Sequence, residues 1–316
     1  MILQGDALSW LKQINNESID CIITSPPYWA LRDYKVEGQL GQEKTIDEYV
    51  SKLVEIFNEC KRVLKREGTC WIVLGDTYSG GGGEGKRGDS IPQVGSTKRQ
   101  VQRSPSNFGG KTGLQDKTLC LIPERFAIKM IDNGWILRNK IIWHKPNCMP
   151  SSATDRFTVD FEYIYFFVKS KRYYFKTQYE PFEGTTFEER SKYNFGGYKK
   201  GIDHKNGRHF YLTESKQILP NPQGRIKRTV WKIPPKPFPE AHFAVFPEEL
   251  VKQCLDAGCS STGMVLDPFA GAGTTGVVSL QNHRNWIGIE LNPDYIKISR
   301  ERLRPYWEQL KLPIFG

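Results

Sequence analysis

No stretch of this 316-residue chain approaches the roughly 18 uninterrupted apolar residues that a membrane-spanning helix needs, so no such span is expected. The opening Met1-Ile2-Leu3-Gln4-Gly5-Asp6 has neither a basic nor an apolar leader region, which makes the cytoplasm the expected location. Cysteine is scattered: seven residues, an odd number, with no C-x-x-C pair and only a C-x4-C at Cys254 and Cys259. Reduced, mostly buried thiols are expected, and no metal site is. Internal repeats are also missing. What remains is a chain 38% hydrophobic and 25% charged, long enough for one large domain or a domain with a substantial insertion.

The net charge of +10 is unevenly spread. Residues 79–117 hold 7 basic and 3 acidic side chains, residues 176–240 hold 13 and 7, and the rest balances. A near-neutral body therefore carries two basic attachments. Cations facing phosphates gain by counterion release, so the pattern suits a polyanion, although solvated loops on any basic protein would show the same charge.

Periodicity organises the body. Asp20-Cys21-Ile22-Ile23-Thr24 reads as a buried strand that runs into Ser25-Pro26-Pro27-Tyr28, where two prolines forbid helix. Apolar residues from Ile46 to Leu64 recur at three- and four-residue steps, an amphipathic helix for which Gly68 serves as the stop. Cys70 to Leu74 gives a second buried strand. Strand, helix, strand is the cadence of a parallel α/β sheet. Residues 79–117, with Gly80 to Gly83, Gly85 and Gly88, read as a flexible basic loop. Ile122–Ile131 reads as helix, while Trp135–Leu137, Ile141–Trp143 and Phe161–Val168 read as extended. Residues 176–240 have no long period and are the candidate inserted region. Phe246–Ala257 reads as a helix, Met264–Asp267 and Trp286–Ile289 as strands, with helices after each.

Two patterns carry chemistry. Gly271-Ala272-Gly273-Thr274-Thr275-Gly276 follows a strand and opens a helix, and Glu290 ends the next strand 19 residues after Gly271. Glycines let backbone approach a ligand and the carboxylate can accept from ribose hydroxyls, but the string alone is shared by many ligands and by ligand-free turns. Only 26 residues follow Glu290, so the rest of this sheet is expected from upstream, with the strand before Ser25 beside the glycine turn. The second pattern is Ser25-Pro26-Pro27-Tyr28. An exocyclic amine on a nucleobase is a poor nucleophile because its lone pair is delocalised into the ring. A hydroxyl and a backbone carbonyl accepting from its N–H groups would favour a tetrahedral nitrogen, as Ser25 and Pro26 can, and Tyr28 offers a stacking face. A Pro-Pro turn with an incidental tyrosine remains the alternative.

Together these residues resemble the β-class DNA amino-methyltransferases. Thr24-Ser25-Pro26-Pro27-Tyr28 looks like the catalytic motif, Asp267-Pro268-Phe269-Ala270-Gly271-Ala272-Gly273-Thr274-Thr275 like the cofactor turn, and Glu290-Leu291-Asn292 like the ribose-binding strand end. His242 to Glu248, which includes Phe246, resembles a wall of the cofactor pocket; Gly5-Asp6-Ala7-Leu8 resembles the motif whose acidic residue nears the cofactor adenine; Trp143-His144-Lys145-Pro146-Asn147 resembles a segment near the flipped base. The motifs span most of the chain except 79–117 and 176–240.

The resemblance implies a Rossmann-like α/β methyltransferase sheet, circularly permuted so that the catalytic motif precedes the cofactor motif. It divides the chain into a catalytic part at 1–175, a target-recognition region at 176–240 and a cofactor-binding part at 241–316. It also implies S-adenosylmethionine as cofactor, double-stranded DNA as substrate, base flipping and direct in-line transfer. Carbon-5 methylation is not expected, since none of the nineteen prolines precedes a cysteine. Ser at the first motif position favours cytosine N4 over adenine N6. Arg225, Lys227 and Arg228, among the aromatics Tyr193, Tyr198, His209, Phe210 and Tyr211, are the expected recognition cations, with Lys145 also facing DNA. Trp29 is expected in the core rather than lining the target pocket, and His144 hydrogen-bonded or solvated; Asp76 fits a place near the active crevice and a turn or helix cap equally, and no role is assigned to it. A cognate restriction endonuclease and a monomer or homodimer are left open. A nucleotide-dependent oxidoreductase and a non-catalytic nucleic-acid-binding module are the rivals; the first leaves the Ser-Pro-Pro-Tyr loop unused, the second the glycine turn.

Overall fold

The computed structural model describes residues 1–31, 33–80, 113–181, 197–202, 209–214, 223–235 and 246–309. The basic stretch at 81–112, Tyr193, the segment at 242–245 and the side chains of Tyr198, His209, Phe210 and Tyr211 lie outside what is described. Two compact units result, one of Met1–Lys176 with Thr229–Gly316, the other of Thr177–Arg228.

The larger unit opens with β1 (Ile2–Gln4), α1 (Ala7–Leu11), β2 (Ile19–Thr24), α2 (Ile46–Val63), β3 (Leu64–Leu74), α3 (Ile122–Asp132), β4 (Ile136–His144) and β5 (Phe161–Val168). Thr45 caps α2, its Oγ1 accepting from Glu48 N at 3.1 Å; acidic residues sit in the first turn and Lys61 and Arg62 in the last, matching the helix dipole. The helix stops well before Gly68. Its end carbonyls on Arg62 and Val63 accept from the N–H groups of Glu17 and Ser18, so a neighbouring segment replaces the glycine cap. The two extended runs after Trp135 form a single strand with an irregularity between Leu137 and Asn139.

In the smaller unit β6 (Tyr179–Glu180) pairs antiparallel with β9 (Arg225–Ile226), and β7 (Gly197–Ile202) with β8 (His209–Glu214). Glu180 Oε1 accepts from both Arg225 Nε and Arg228 Nε at 2.8 Å.

The chain then returns to the larger unit with β10 (Val230–Lys232), α4 (Glu248–Gly258), β11 (Met264–Asp267), α5 (Thr274–Gln281), β12 (Asn285–Glu290) and α6 (Pro293–Gln309). The return comes earlier than residue 240. Trp231 and Ile233 are buried, and Trp143 Nε1 donates to Ile233 O at 2.8 Å, which draws β10 onto the sheet edge.

One eight-stranded sheet results, ordered β1-β12-β11-β2-β3-β5-β4-β10. It is parallel except at β5, which runs against both neighbours. Alternation along β3 feeds two cores: Cys70, Ile72 and Leu74 pack toward α1, α2 and α3, while Trp71 and Val73 pack toward α4, α5 and α6. Trp71 stacks on Phe166 with ring centroids 4.0 Å apart. All seven cysteines are free thiols, and every one but Cys148 is buried.

Strands β2 and β11 come from opposite ends of the sequence yet lie side by side, Val265 against Cys21 and Leu266 against Ile22. At their starts Asp20 Oδ2 accepts from Met264 N at 2.8 Å; at their ends Thr24 Oγ1 donates to Asp267 Oδ1 at 2.6 Å. From β2 the chain turns through α2 on one face, and from β11 through α5 on the other. The crevice at their carboxyl ends is the topological switch point where open α/β sheets bind ligands.

Asp267 is fully buried, and burial pushes its carboxyl up to about 6 from 3.8, with the Thr24 hydroxyl and the Phe269 N–H pulling it back. The native state thus binds this proton more tightly than the unfolded chain, so stability is lost as pH rises between those two values. Asp267→Asn keeps an oxygen acceptor for Thr24 and never ionises. Urea midpoints are expected to move in the variant's favour by about 1–3 kcal/mol between roughly pH 4 and pH 7. A gap that does not change with pH would mean that Asp267 ionises as in water.

Candidate active site

Ser25-Pro26-Pro27-Tyr28 leaves β2 at the switch point and is held by its surroundings more than by itself. Tyr49, buried on α2, donates from its hydroxyl to Pro27 O at 2.7 Å. Trp29 is buried in the core and donates from Nε1 to Glu43 O at 3.1 Å, which anchors the chain just beyond the loop. The ring of Tyr28 lies against Gly75, and its hydroxyl donates to Glu162 Oε2 at 2.7 Å. Burial and the Glu162 charge together push the Tyr28 phenol well above its ordinary range, so it stays a donor, with the Ser25 hydroxyl beside it.

The glycine turn after β11 is built by backbone geometry. Gly271 and Gly273 have φ of +51° and +78°, where side-chain-bearing residues are strained. A Cβ on Gly273 would also come within 2.3 Å of Ser299 Oγ, whereas at Gly271 the nearest atom would be 4.0 Å away, on an open side. Arg302 on α6 secures the turn by donating to Ala272 O at 2.7 Å and Thr274 Oγ1 at 3.0 Å. Glu290, at the end of β12, accepts from Gly271 N at 2.8 Å through one oxygen and from Asn292 N at 2.7 Å through the other. Burial raises its carboxyl, and those two N–H groups pull it back. Asn292 Oδ1 in turn accepts from Asp294 N at 2.8 Å at the start of α6.

Both segments face one cavity of about 530 Å³, within the roughly 300–1,000 Å³ range of small-ligand pockets. Its walls include Ser25 through Tyr28 from the loop after β2, Gly271 and Thr274 from the glycine turn, and Glu290 and Asn292 from the end of β12. Asp6 joins them from the end of β1, where its carboxylate caps α1 through Ser9, and Phe246 and Phe269 add apolar faces. Asp267, Gly273 and Thr275 are not on its walls. Asp267 ties the strand ends, Gly273 starts α5, and the buried Thr275 hydroxyl donates to Ile23 O at 3.4 Å.

Lys145 is also a wall residue. Its ammonium pairs with Glu162 Oε1 and sits 4.4 Å from the Trp143 ring centroid, with only a fifth of the side chain exposed. His144 turns to Asp160, Nε2 to Oδ2 3.3 Å, and is not on the cavity wall. Asp76 is a helix cap: its oxygens accept from Leu121 N at 3.0 Å and Ile122 N at 3.1 Å at the start of α3. Glu162, Tyr49 and Arg302 lie outside every chemistry-bearing motif of the sequence. Only Glu162 had a local signal, as a lone carboxylate in the apolar run Phe161–Val168.

Known proteins are similar to this chain in sequence or in fold. The type II methyltransferase M.Cfr9I of Citrobacter freundii is 39% identical over 303 residues, 96% of this chain and 87% of that one. Among solved structures, the PvuII DNA methyltransferase, described as cytosine-N4-specific, superposes with a TM-score of 0.63 at 19% identity, covering 96% of this chain and 85% of that one. TTHA0409 of Thermus thermophilus, solved with S-adenosyl-L-methionine, gives 0.57 at 22% identity, covering 99% and 95%. At those identities the likeness to the two structures is one of fold. The family model described as DNA methylase matches residues 19–301. The chain belongs to that DNA methylase family, the N6 and N4 amino-methyltransferases.

Proposed function

We propose that this protein methylates the N4 amino group of cytosine in double-stranded DNA, using S-adenosylmethionine, with the target nucleotide turned out of the helix. The observation that carries the reading is the cavity shared by the Ser-Pro-Pro-Tyr loop and a glycine turn with a pinned carboxylate. The residues fit the cofactor: the open side of Gly271 admits a close ligand, and Glu290, its oxygens already oriented by two N–H groups, keeps lone pairs for a ribose diol. Asp6 offers an acceptor for an adenine amine, and Phe246 and Phe269 cover apolar surface. Bound S-adenosylmethionine supplies an electrophilic methyl group on a sulfonium.

In the loop the Ser25 hydroxyl and the Pro26 carbonyl accept from the two N–H groups of the amine, which frees the nitrogen lone pair for in-line attack. On transfer the nitrogen would take the methyl as its bond to sulfur breaks, the donor would leave as a neutral thioether, and the amine would lose one proton to solvent. Tyr28 stacks on the base and substitutes for its neighbours in the duplex. The cavity rim suits a base leaving its stack, for Met149 and Phe157 are 89% and 96% exposed there and in the adjoining loop. Cytosine is favoured by Ser25 and by the description of the PvuII enzyme; the same geometry would serve adenine N6, and the family spans both amines. The smaller unit, with Arg225, Lys227 and Arg228, reads the DNA sequence. A cognate restriction endonuclease fits the type II naming of the 39% identical relative. Among the described residues no helix is long and apolar enough to cross a membrane. The cytoplasm, where DNA is at hand, is the proposed place of action.

Single-molecule sequencing of DNA from cells expressing the chain is expected to find N4-methylcytosine at one recurring site; N6-methyladenine would assign adenine, and unmodified DNA would defeat both. Ser25→Ala is expected to lower kcat by about 100-fold or more while S-adenosylmethionine affinity stays within about twofold. A loss confined to KM would take Ser25 out of the chemistry. Removing the cations at 225, 227 and 228 is expected to weaken DNA binding and flatten its salt dependence by roughly one log unit for each phosphate no longer neutralised. Arg225 and Arg228 also pair with Glu180, so each single variant is read against the triple one; unchanged affinity in every variant would remove this unit from recognition.

A further inference from the structure

We infer that Glu162 is a positioning residue for the transfer: its carboxylate fixes the tilt of the Tyr28 ring and keeps Lys145 on the cavity wall. The inference rests on the methyltransferase reading and extends it to a residue that no family motif quoted above contains.

Glu162 is the second residue of β5 and lies opposite Trp143 of β4, so two strands set its backbone. Its two oxygens go to different partners, Oε2 to the Tyr28 hydroxyl at 2.7 Å and Oε1 to the Lys145 ammonium. The side chains of Lys145 and Glu162 are 20% and 19% exposed, unlike a solvated surface pair, and all three residues line the cavity. The Cδ2–Cε2 edge of the Tyr28 ring, beside the hydroxyl-bearing Cζ, lies against Gly75, where a Cβ would stand 2.6 Å from Cε2. A tyrosine ring turns about two side-chain bonds. Contact at Gly75 limits one motion and the bond to Glu162 limits the other, so the face offered to a base is fixed before the base arrives. Preorganisation of this kind acts on rate, since a small misplacement of reacting groups can cost on the order of 100-fold. Two nearby acidic groups are committed elsewhere: Asp76 caps α3 and Asp160 faces His144.

The test uses the full chain with S-adenosylmethionine and a duplex bearing the site mapped by sequencing. Glu162→Ala and Tyr28→Phe are each expected to lower kcat by about 10- to 100-fold with cofactor affinity within about twofold. The double variant is expected to be no worse than either single one, as for residues acting through one bond. Glu162→Gln keeps an oxygen for the Tyr28 hydroxyl and is expected to restore most of kcat. With 2-aminopurine at the target position, stacking on Tyr28 quenches fluorescence in the wild type and less so in Glu162→Ala. Losses that multiply in the double variant, or cofactor affinity falling in step with kcat, would overturn the positioning role. A Glu162→Ala chain as active as the wild type would overturn this inference alone; a wild-type chain that labels no DNA would overturn it together with the parent reading.

Discussion

Thr24 and Asp267 are 243 positions apart and meet through a 2.6 Å hydrogen bond inside the sheet. One residue further along each strand the chain enters a turn that lines the cavity: Ser25 on one side, Pro268 on the other. Two turns that share one cavity need their supporting strands in register. That register is held at the start by Asp20 with Met264 N and at the end by Thr24 with Asp267. The price is a fully buried carboxyl. Desolvation of such a group is costly, and the site tolerates it because the bond is made where strand ends would otherwise fray.

The two turns then solve opposite problems. At Gly271 a missing side chain leaves backbone open to the cavity, and rigidity is borrowed from Arg302 and Glu290, which bond to the turn. Around Ser25 the residues of the loop line the cavity. There rigidity comes from proline rings and from Tyr49 and Glu162, which hold the loop by its second proline and its tyrosine. Neither turn is stiff by its own sequence alone. Each relies on a polar group delivered by a different element, so packing of helices α2 and α6 bears directly on the cavity.

Local patterns reveal local structure, and that limit explains which features were legible. The β2 strand, the α2 helix and the glycine turn are written in contiguous residues, with a run of apolar side chains, a period near 3.6 and a spaced set of glycines. The end of α2 is not, because the groups that satisfy its last carbonyls belong to Glu17 and Ser18, more than 40 residues upstream. Strand β10 is three residues long, amid basic and proline-rich chain, and only the docking of Trp231 and Ile233 identifies it. The direction of β5 leaves no trace in its composition, since antiparallel and parallel neighbours bury it equally on both faces. In the site, residues inside motifs were found by type and spacing. Glu162 and Arg302 act across strands or helices, where only the fold sets the distance.

Charge shows the same limit. Residues 176–240 carry a surplus of six cations by sequence, a figure that treats each side chain as free to meet phosphate. Glu180 holds two of these guanidiniums at 2.8 Å each, and those bonds join the start and end of the smaller unit through β6 and β9. A guanidinium with one N–H committed to a carboxylate keeps others for a phosphate, but its net contribution to counterion release is reduced by the negative partner beside it. Lys145 is a further case, a cation matched by Glu162. The salt dependence of DNA binding should therefore fall short of what the cation count implies, and its slope measures how many of these pairs open when DNA arrives.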